Sequence, residues 1–375
     1  MVAKKLAALK TQYGSDSIAA IASSQCSNDS LQAFEDLVNE AIGSKLLDTL
    51  DGDVYRTIIK GTKGHKAKAA ANAKETSLEE ILKADCIMVV GTNPLETHPV
   101  AGSYVARAVR QNKAVLIIMD PSQNTFPYHA TLWLKPKENK ELLALNVISK
   151  ALIDKGTNKE SAFTKAIAAS LRDINLKQST RQAGIASDDL AKAVELLANA
   201  KHSLIIYGEG VLQHKNPALI TSLVNLATIA SRQSKGKPQI ISLKPKGNSH
   251  GAWDMGIANS SQSVMKNLTS NSVKALYVLL ADDDVDFSEF ITAAKGLEFV
   301  VIQSSYRLRA GTKANVVLPS PVWTEVGETY TSLDGLTGSA SRLIRAPEGV
   351  KADSGILHEI SKQMKKLELS VRRSR

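Results

Sequence analysis

The chain has 375 residues, 43% hydrophobic and 22% charged, which allows two or three domains with proper cores and excludes a disordered chain. Its two cysteines, Cys26 and Cys86, are too few for a disulfide framework, a cysteine-rich zinc site or an iron–sulfur cluster, and they point to a reducing compartment. The net charge is +10 and the pI about 9.3, yet aromatics are only 5% and do not interleave with the lysine clusters, so a surface for stacking single-stranded bases is not expected.

Along the chain, short apolar runs alternate with stretches of helical period, the pattern of a parallel α/β architecture. Strands are expected at 17–22, 86–90, 114–119, 131–134, 203–207, 239–242, 275–280, 299–303 and 315–318. Helices are expected at 31–42, 100–111, 140–153, 188–199, 216–230 and 288–294. Several strands are nearly continuous Val/Ile/Leu runs, as suits strands covered on both faces. The helix at 140–153 places Leu142, Leu145, Val147, Ile148 and Leu152 at helical spacing, a core-facing stripe. Residues 60–76 (KGTKGHKAKAAANAKET) read as an exposed loop or weak surface helix, 335–341 (GLTGSAS) as a flexible turn, and 371–375 as a frayed tail. No run nears the ~20 apolar residues of a membrane helix, and the first twenty lack a signal-peptide core.

Four stretches carry polar groups at strand ends. In residues 86–120, a strand ends at Gly91, Thr92 and Asn93 offer polar groups, Pro99 starts a helix, and Asp120 closes the next strand, where dinucleotide folds place a carboxylate. The loop GTNPLE is not GxGxxG, so a nicotinamide fingerprint is absent, and the segment is equally a plain strand–turn–helix. A second unit repeats the form, with Gly208 and Gly210 after SLIIY; a GxG there fits a phosphate loop or an ordinary turn. Residues 244–256 (KPKGNSHGAWDMG) make a loop too long for a tight turn, suited to a cofactor edge or a domain crossing. In the fourth, 315–338, Glu325, Thr329, Thr331 and Ser332 crowd a polar bend.

Other chemistries find little support. The histidines at 65, 98, 129, 202, 214, 250 and 358 show no metal-ligand spacing, and DDDVD at 282–286 lacks the spacing of a calcium loop. Neither a GxSxG elbow nor a Walker loop occurs. Cys86 sits in an apolar strand as a core residue; Cys26 precedes a helix, where its pKa is either depressed or of purely structural interest.

Taken in order, these segments resemble the molybdopterin oxidoreductase family, which includes molybdenum formate dehydrogenases and the large iron–sulfur subunit of respiratory complex I. The likeness runs from Tyr13-Gly14-Ser15-Asp16-Ser17-Ile18 to near Leu357. It is carried by a GxNPxExHPV loop at 91–100, an Asp-Pro turn at Asp120-Pro121-Ser122, a GxxxxQ turn at 208–213, an NxxGAxDMG loop at 248–256 and an ADVVLPxxxxxExxGTxTNxEGR-like run at 314–336. The resemblance implies two nested Rossmann-like α/β domains with mostly parallel sheets covered by helices, one of 1–52 plus 257–365 and one inserted as 53–256, followed by a basic tail at 366–375. It implies dinucleotide contacts, vestigial or to a molybdopterin guanine dinucleotide, at Gly91, Thr92, Asn93, Asp120, Gly208, Gly210, Asp254 and Met255.

Departures from the pattern matter more. Where formate-oxidising relatives carry Cys or selenocysteine followed by His, this chain reads Leu50-Asp51-Gly52-Asp53-Val54-Tyr55; the family's active-site Arg falls on Lys244, and the Arg of Asp-Pro-Arg is Ser122. The cysteine-rich iron–sulfur region and the closing C-terminal domain have no counterpart in these 375 residues. No catalytic residue, no metal and no resident cofactor are therefore expected. The expected role is a scaffold subunit of an NADH–quinone oxidoreductase-like electron-transfer complex, partnered by an iron–sulfur subunit, cytoplasmic and reaching a membrane only through that complex. The alternatives are a split bis-pterin formate dehydrogenase-like enzyme completed by other chains and, from a different class, a basic nucleic-acid-binding protein.

Overall fold

The computed structural model describes residues 1–62, 76–122, 130–157, 162–231, 238–259, 264–285, 291, 294, 296–308 and 312–373. Twelve strands occur among them: β1 Ile18–Ala22, β2 Leu47–Thr49, β3 Cys86–Val90, β4 Val115–Met119, β5 Leu132–Leu134, β6 Ser203–Tyr207, β7 Ile240–Ser242, β8 Ala275–Ala281, β9 Phe299–Ser304, β10 Val316–Pro319, β11 Thr329–Thr331 and β12 Thr337–Ser339. The chain forms two compact units, Met1–Arg56 with Lys246–Arg375, and Thr57–Pro245. By this division residues 246–256 belong with the discontinuous unit.

The inserted unit holds a parallel sheet in the order β5-β4-β3-β6-β7. Strand order reverses between β3 and β6, the kind of switch point at whose carboxyl ends open α/β sheets hold ligands. Val90 is level with both Met119 and Tyr207, which starts the three loops at one height. The strands β3 and β6 are buried along their whole length, because helices cover both faces. Helix Glu141–Asp154 buries Leu145, Val147, Ile148 and Leu152, the expected stripe, and packs on helix Pro217–Ala230 with Ser222 Oγ donating to Asn146 Oδ1 at 2.8 Å. Pro217 opens that second helix and Asn216 caps it through Ala218 N at 3.0 Å.

The discontinuous unit holds a second parallel sheet, β10-β9-β8-β1-β2, whose order reverses between β1 and β8. Its core joins Ile21, Leu276, Val278, Val300 and Ile302 from the strands with Leu268 and Val273 before them. Helix Asn28–Asp36, capped by Ser27 Oγ on Ser30 N at 3.0 Å, widens into a π-turn over Leu37–Ile42 and stops at Gly43, whose φ of 78° is left-handed. Helix Asp353–Arg373 buries Leu357, Ile360 and Met364 against helices Val2–Tyr13 and Asn28–Asp36. Lys10 pairs with Glu368, and Lys365 with Glu40 at 2.7 Å.

The nine expected strands all occur, most with ends moved by a residue, and five of the six helices occur; the helix expected at 288–294 falls largely on residues outside the described set. Most of 60–76 also lies outside it. Two expectations are corrected. Residues 335–341 form the turn and second strand of the hairpin β11–β12, held by Ser332 N on Leu336 O at 2.8 Å. Residues 366–373 continue helix Asp353–Arg373 instead of trailing as a tail, because Leu357, Ile360 and Met364 dock the helix and carry its last turns with it.

Candidate functional site

In the inserted unit the crest between β3 and β6 is built by glycine. The chain leaves β3 at Gly91 with φ +59°, and Gly210 N donates to Gly91 O at 2.8 Å. A Cβ on Gly210 would sit 2.7 Å from that carbonyl oxygen, and one on Gly208 would sit 2.7 Å from Thr92 Cβ. The two glycine turns therefore close on each other, and their lack of side chains is used by the chain's own backbone.

Polar groups along the crest are engaged with their own loops. Asn93, buried, caps the short helix Pro94–Thr97 through Leu95 N at 3.2 Å, and Thr92 Oγ1 lies 3.3 Å from Thr97 Oγ1. Gly102 lets helix Pro99–Asn112 press on that turn: a Cβ there would meet Leu95 N at 2.6 Å. Asp120 is buried, its Oδ1 accepting from Ser122 N at 2.9 Å and Ser122 Oγ at 2.6 Å, while its carbonyl accepts from Trp133 Nε1 at 3.2 Å. His98 Nε2 lies 2.9 Å from Lys244 O and its Nδ1 3.1 Å from Thr97 Oγ1. Burial holds the His98 pKa below the usual imidazole value, which favours a neutral ring donating to Lys244 O. Lys244 itself is only 3% exposed.

The structure thus gathers six of the eight expected contact residues, Gly91, Thr92, Asn93, Asp120, Gly208 and Gly210, at one edge of the inserted unit. Asp254 and Met255 lie in the other unit, at the end of helix Ser249–Asp254. The Asp254 side chain is 69% exposed, with Oδ2 3.2 Å from His250 Nε2.

A second polar crest, not anticipated from the sequence, lies in the discontinuous unit where β1 and β8 end. Ser23 Oγ donates to Asp283 Oδ2 at 2.5 Å, and Lys246 Nζ reaches Asp283 Oδ1 at 2.8 Å. Ser24 and Ser249 hydroxyls donate to the two oxygens of Asp51, each at 2.5 Å. Asn248 donates to Cys26 O at 2.7 Å and Asn28 Oδ1 at 3.0 Å, and accepts from Thr331 N at 2.7 Å. The signal was present as small polar pairs in two loops, Ser23-Ser24 and Asn248-Ser249, but their partners lie from 27 to 260 residues away in the chain.

Neither cysteine is a thiolate. Cys86 is pushed up to about 12 by burial, and Cys26 well above its ordinary value by burial and by Asp353, Asp282, Asp283 and Glu328. A depressed Cys26 is therefore corrected: the low-dielectric site and acidic neighbours outweigh the adjacent helix start. At residues 50–55 no sulfur or imidazole occurs, both Asp51 oxygens are taken by hydroxyls, and Asp53 pairs with Arg56 at 2.7 Å. Among the described residues no three His, Cys, Asp or Glu converge as a metal site.

The family model described as molybdopterin oxidoreductase matches residues 1–363. Among curated proteins the chain is 23% identical to the NADPH-Fe(3+) oxidoreductase subunit alpha of Geobacter sulfurreducens, covering 96% of this chain and 46% of that one. It is likewise 23% identical to formate dehydrogenase H of Escherichia coli, covering 97% and 56%. The chain spans about half the length of these curated relatives. Among solved structures, acetylene hydratase from Pelobacter acetylenicus superposes with a TM-score of 0.73 at 14% identity, over 97% of this chain and 57% of that one. A chain of the formyltransferase/hydrolase complex FhcABCD from Methylorubrum extorquens, solved with methylofuran, superposes with a TM-score of 0.64 at 15% identity, over 98% and 97%. For the molybdenum that a molybdopterin cofactor carries, residues 50–55 offer no sulfur or imidazole, and their one buried carboxylate, Asp51, accepts one hydroxyl on each oxygen.

Proposed function

The chain belongs to the molybdopterin oxidoreductase family, and from that premise we propose that it is a non-catalytic subunit of a multi-subunit complex, a family scaffold whose metal site has been lost. The observation that carries this reading is Asp51. It stands in the segment that the resemblance matches to the ligand-bearing stretch of formate-oxidising relatives, and its two oxygens accept from the Ser24 and Ser249 hydroxyls. Lys244 in place of a guanidinium supports the same conclusion, because a point charge cannot reproduce a planar bidentate contact. The glycine crest adds to it, since Gly91 and Gly210 are already in contact with each other.

For the parent complex, one reading is an assembly of the formyltransferase/hydrolase kind, a chain of which shares this fold over 98% of the present residues. An NADH–quinone oxidoreductase-like electron-transfer complex is the second reading, favoured by the loop GNSHGAWDMG at 247–256. Among the described residues no helix is long and apolar enough to cross a membrane.

Purification of the chain with its native partners tests the proposal. Molybdenum and tungsten far below one atom per chain, with no extractable pterin, is the expected result. A stoichiometric metal would overturn it and favour the split-enzyme alternative. Identification of the co-purifying chains separates the two parent complexes: one-carbon transferase and hydrolase subunits on the first reading, iron–sulfur and flavin-bearing subunits on the second.

A further inference from the structure

The last helix, Asp353–Arg373, is reached by an exposed strap and opens on a buried acid. Asp353 is 4% exposed, and its Oδ1 accepts from Gln303 Nε2 at 2.5 Å and from Ser320 Oγ at 2.6 Å. Gln303 is itself fully buried and held by Tyr277, whose hydroxyl donates to its Oε1 at 2.7 Å. One side chain thus fastens the helix start to β8, β9 and the residue just past β10. The next residue adds a longer tie, Ser354 Oγ donating to Glu328 Oε1 at 3.2 Å. Before Asp353 little holds the chain. Residues 345–351 make one backbone hydrogen bond among the described residues, Val350 N on Pro347 O at 3.1 Å, and Gly349 turns with φ +84°. Beyond Asp353 the helix is anchored by the buried Leu357, Ile360 and Met364.

The groups around this fastening are acidic or neutral. Glu328 and Asp282 press their negative charges on Asp353, and Cys26, Tyr277 and Tyr330 each feel the Asp353 carboxylate in turn. These groups come from every element that meets the helix start, and none of them is a cation. Burial raises the Asp353 pKa to about 6, against the pull of its two neutral donors. The helix terminus in which it sits favours the charged form by less than burying an unpaired charge costs. A released side chain would ionise near the ordinary ~3.9, so rising pH favours release over docking.

We propose that Asp353 is a pH-operated latch: once ionised, its carboxyl leaves the Gln303–Ser320 site and frees residues 345–352 with the first helical turn, which pivots before Leu357. Opening stays local because no strand lies beyond Ser339 and the buried side chains of the later turns are untouched. The latch is closed in mild acid and opens increasingly above the docked pKa.

Amide hydrogen exchange on the full chain at pH 5 and pH 7.5, corrected for the intrinsic pH dependence of exchange, tests this. Opening at Val350 and at Ile356, whose N–H donates to Ala352 O at 3.1 Å, should rise about tenfold over that interval, as the docked and released pKa values require. Amides of β9 and of residues 360–368 should not follow. In Asp353→Asn the rise should vanish. A rise shared equally by β9 would assign the effect to global unfolding and overturn the latch, as would a rise that persists in Asp353→Asn. Should that variant fail to fold, the carboxyl carbon of Asp353 in the unmodified chain is titrated by NMR. A midpoint near 6 supports the latch, and one near the ordinary carboxylate value overturns it.

Discussion

Gly91, Gly208 and Gly210 show how closely two turns can approach when they carry no side chains. Each follows a strand in a parallel sheet, the position from which glycine-rich turns hold phosphates. Here the missing Cβ atoms are missing because Gly91 O, Thr92 and Val211 N occupy the space. Gly210→Ala should accordingly cost about 1–3 kcal/mol, the range for overpacking a tight site, read as a lower urea midpoint at unchanged slope. A neutral substitution would mean that the turn relaxes and the close approach is incidental. Asp120, expected as a dinucleotide-contacting carboxylate, accepts on its Oδ1 from Ser122, two residues away. The types of residue at these positions were legible, but whether they face a ligand or each other was not.

Among the elements, continuous aliphatic strands were the most legible and short or amphipathic pieces the least. β3 and β6 announce themselves because both faces are buried and every position is apolar. β2 has three residues, Leu-Asp-Thr, and exists because Ala20, Ile21 and Ala22 of β1 present a ladder for it. Hairpin β11–β12 is built from Thr, Tyr, Gly and Ser and is held by Asn248 from a distant loop, so its composition read as a flexible turn. Helix Val2–Tyr13 buries only Val2, Ala3, Leu6 and Leu9, a sparse stripe that becomes helical through its neighbours.

Helix Asp353–Arg373 opens on a buried carboxyl with a measurable consequence. Asp353 Oδ1 accepts from Gln303 Nε2 at 2.5 Å and Ser320 Oγ at 2.6 Å, and Gln303 in turn accepts from Tyr277 at 2.7 Å. Burial outweighs these donors and raises the Asp353 pKa to about 6. In the unfolded chain it would ionise near the ordinary ~3.9. Between those values the native state keeps a proton that the unfolded state has released. Stability from this group is thus full below about pH 4 and lost as pH rises through about 6, by roughly 3 kcal/mol. Asp353→Asn should remove that part of the slope when urea unfolding is compared at pH 4 and pH 7; an unchanged slope would place the carboxyl in a wetter setting.

For the molecule as a whole, the inserted unit is continuous in sequence and carries a complete sheet, β5-β4-β3-β6-β7, with its own covering helices. Residues 52–245, which keep helix Gly52–Thr62 whole, should therefore fold in isolation, with cooperative thermal unfolding and a dispersed amide spectrum. A collapsed, non-cooperative fragment would show that the unit draws essential stability from the rest of the chain. The other unit has no such contiguous piece, since β1 and β2 precede the insertion and β8, β9 and β10 follow it.

Local chemistry written along the chain was enough to establish a family scaffold: strands apolar on both faces must be covered by helices, and polar loops after parallel strands must collect at one edge. It also showed that residues 50–55 contain no sulfur or imidazole and that position 244 is a lysine, since composition at a position needs no fold to be read. The partners of the remaining polar groups were settled only by folding. Asp51 meets Ser24 and Ser249, Asn248 meets Cys26 and Thr331, and Leu343 meets Thr324, because strand order brings together loops far apart in the chain. Hydrogen bonds reach about 3 Å, and distances of that size between remote residues are a property of the packed chain.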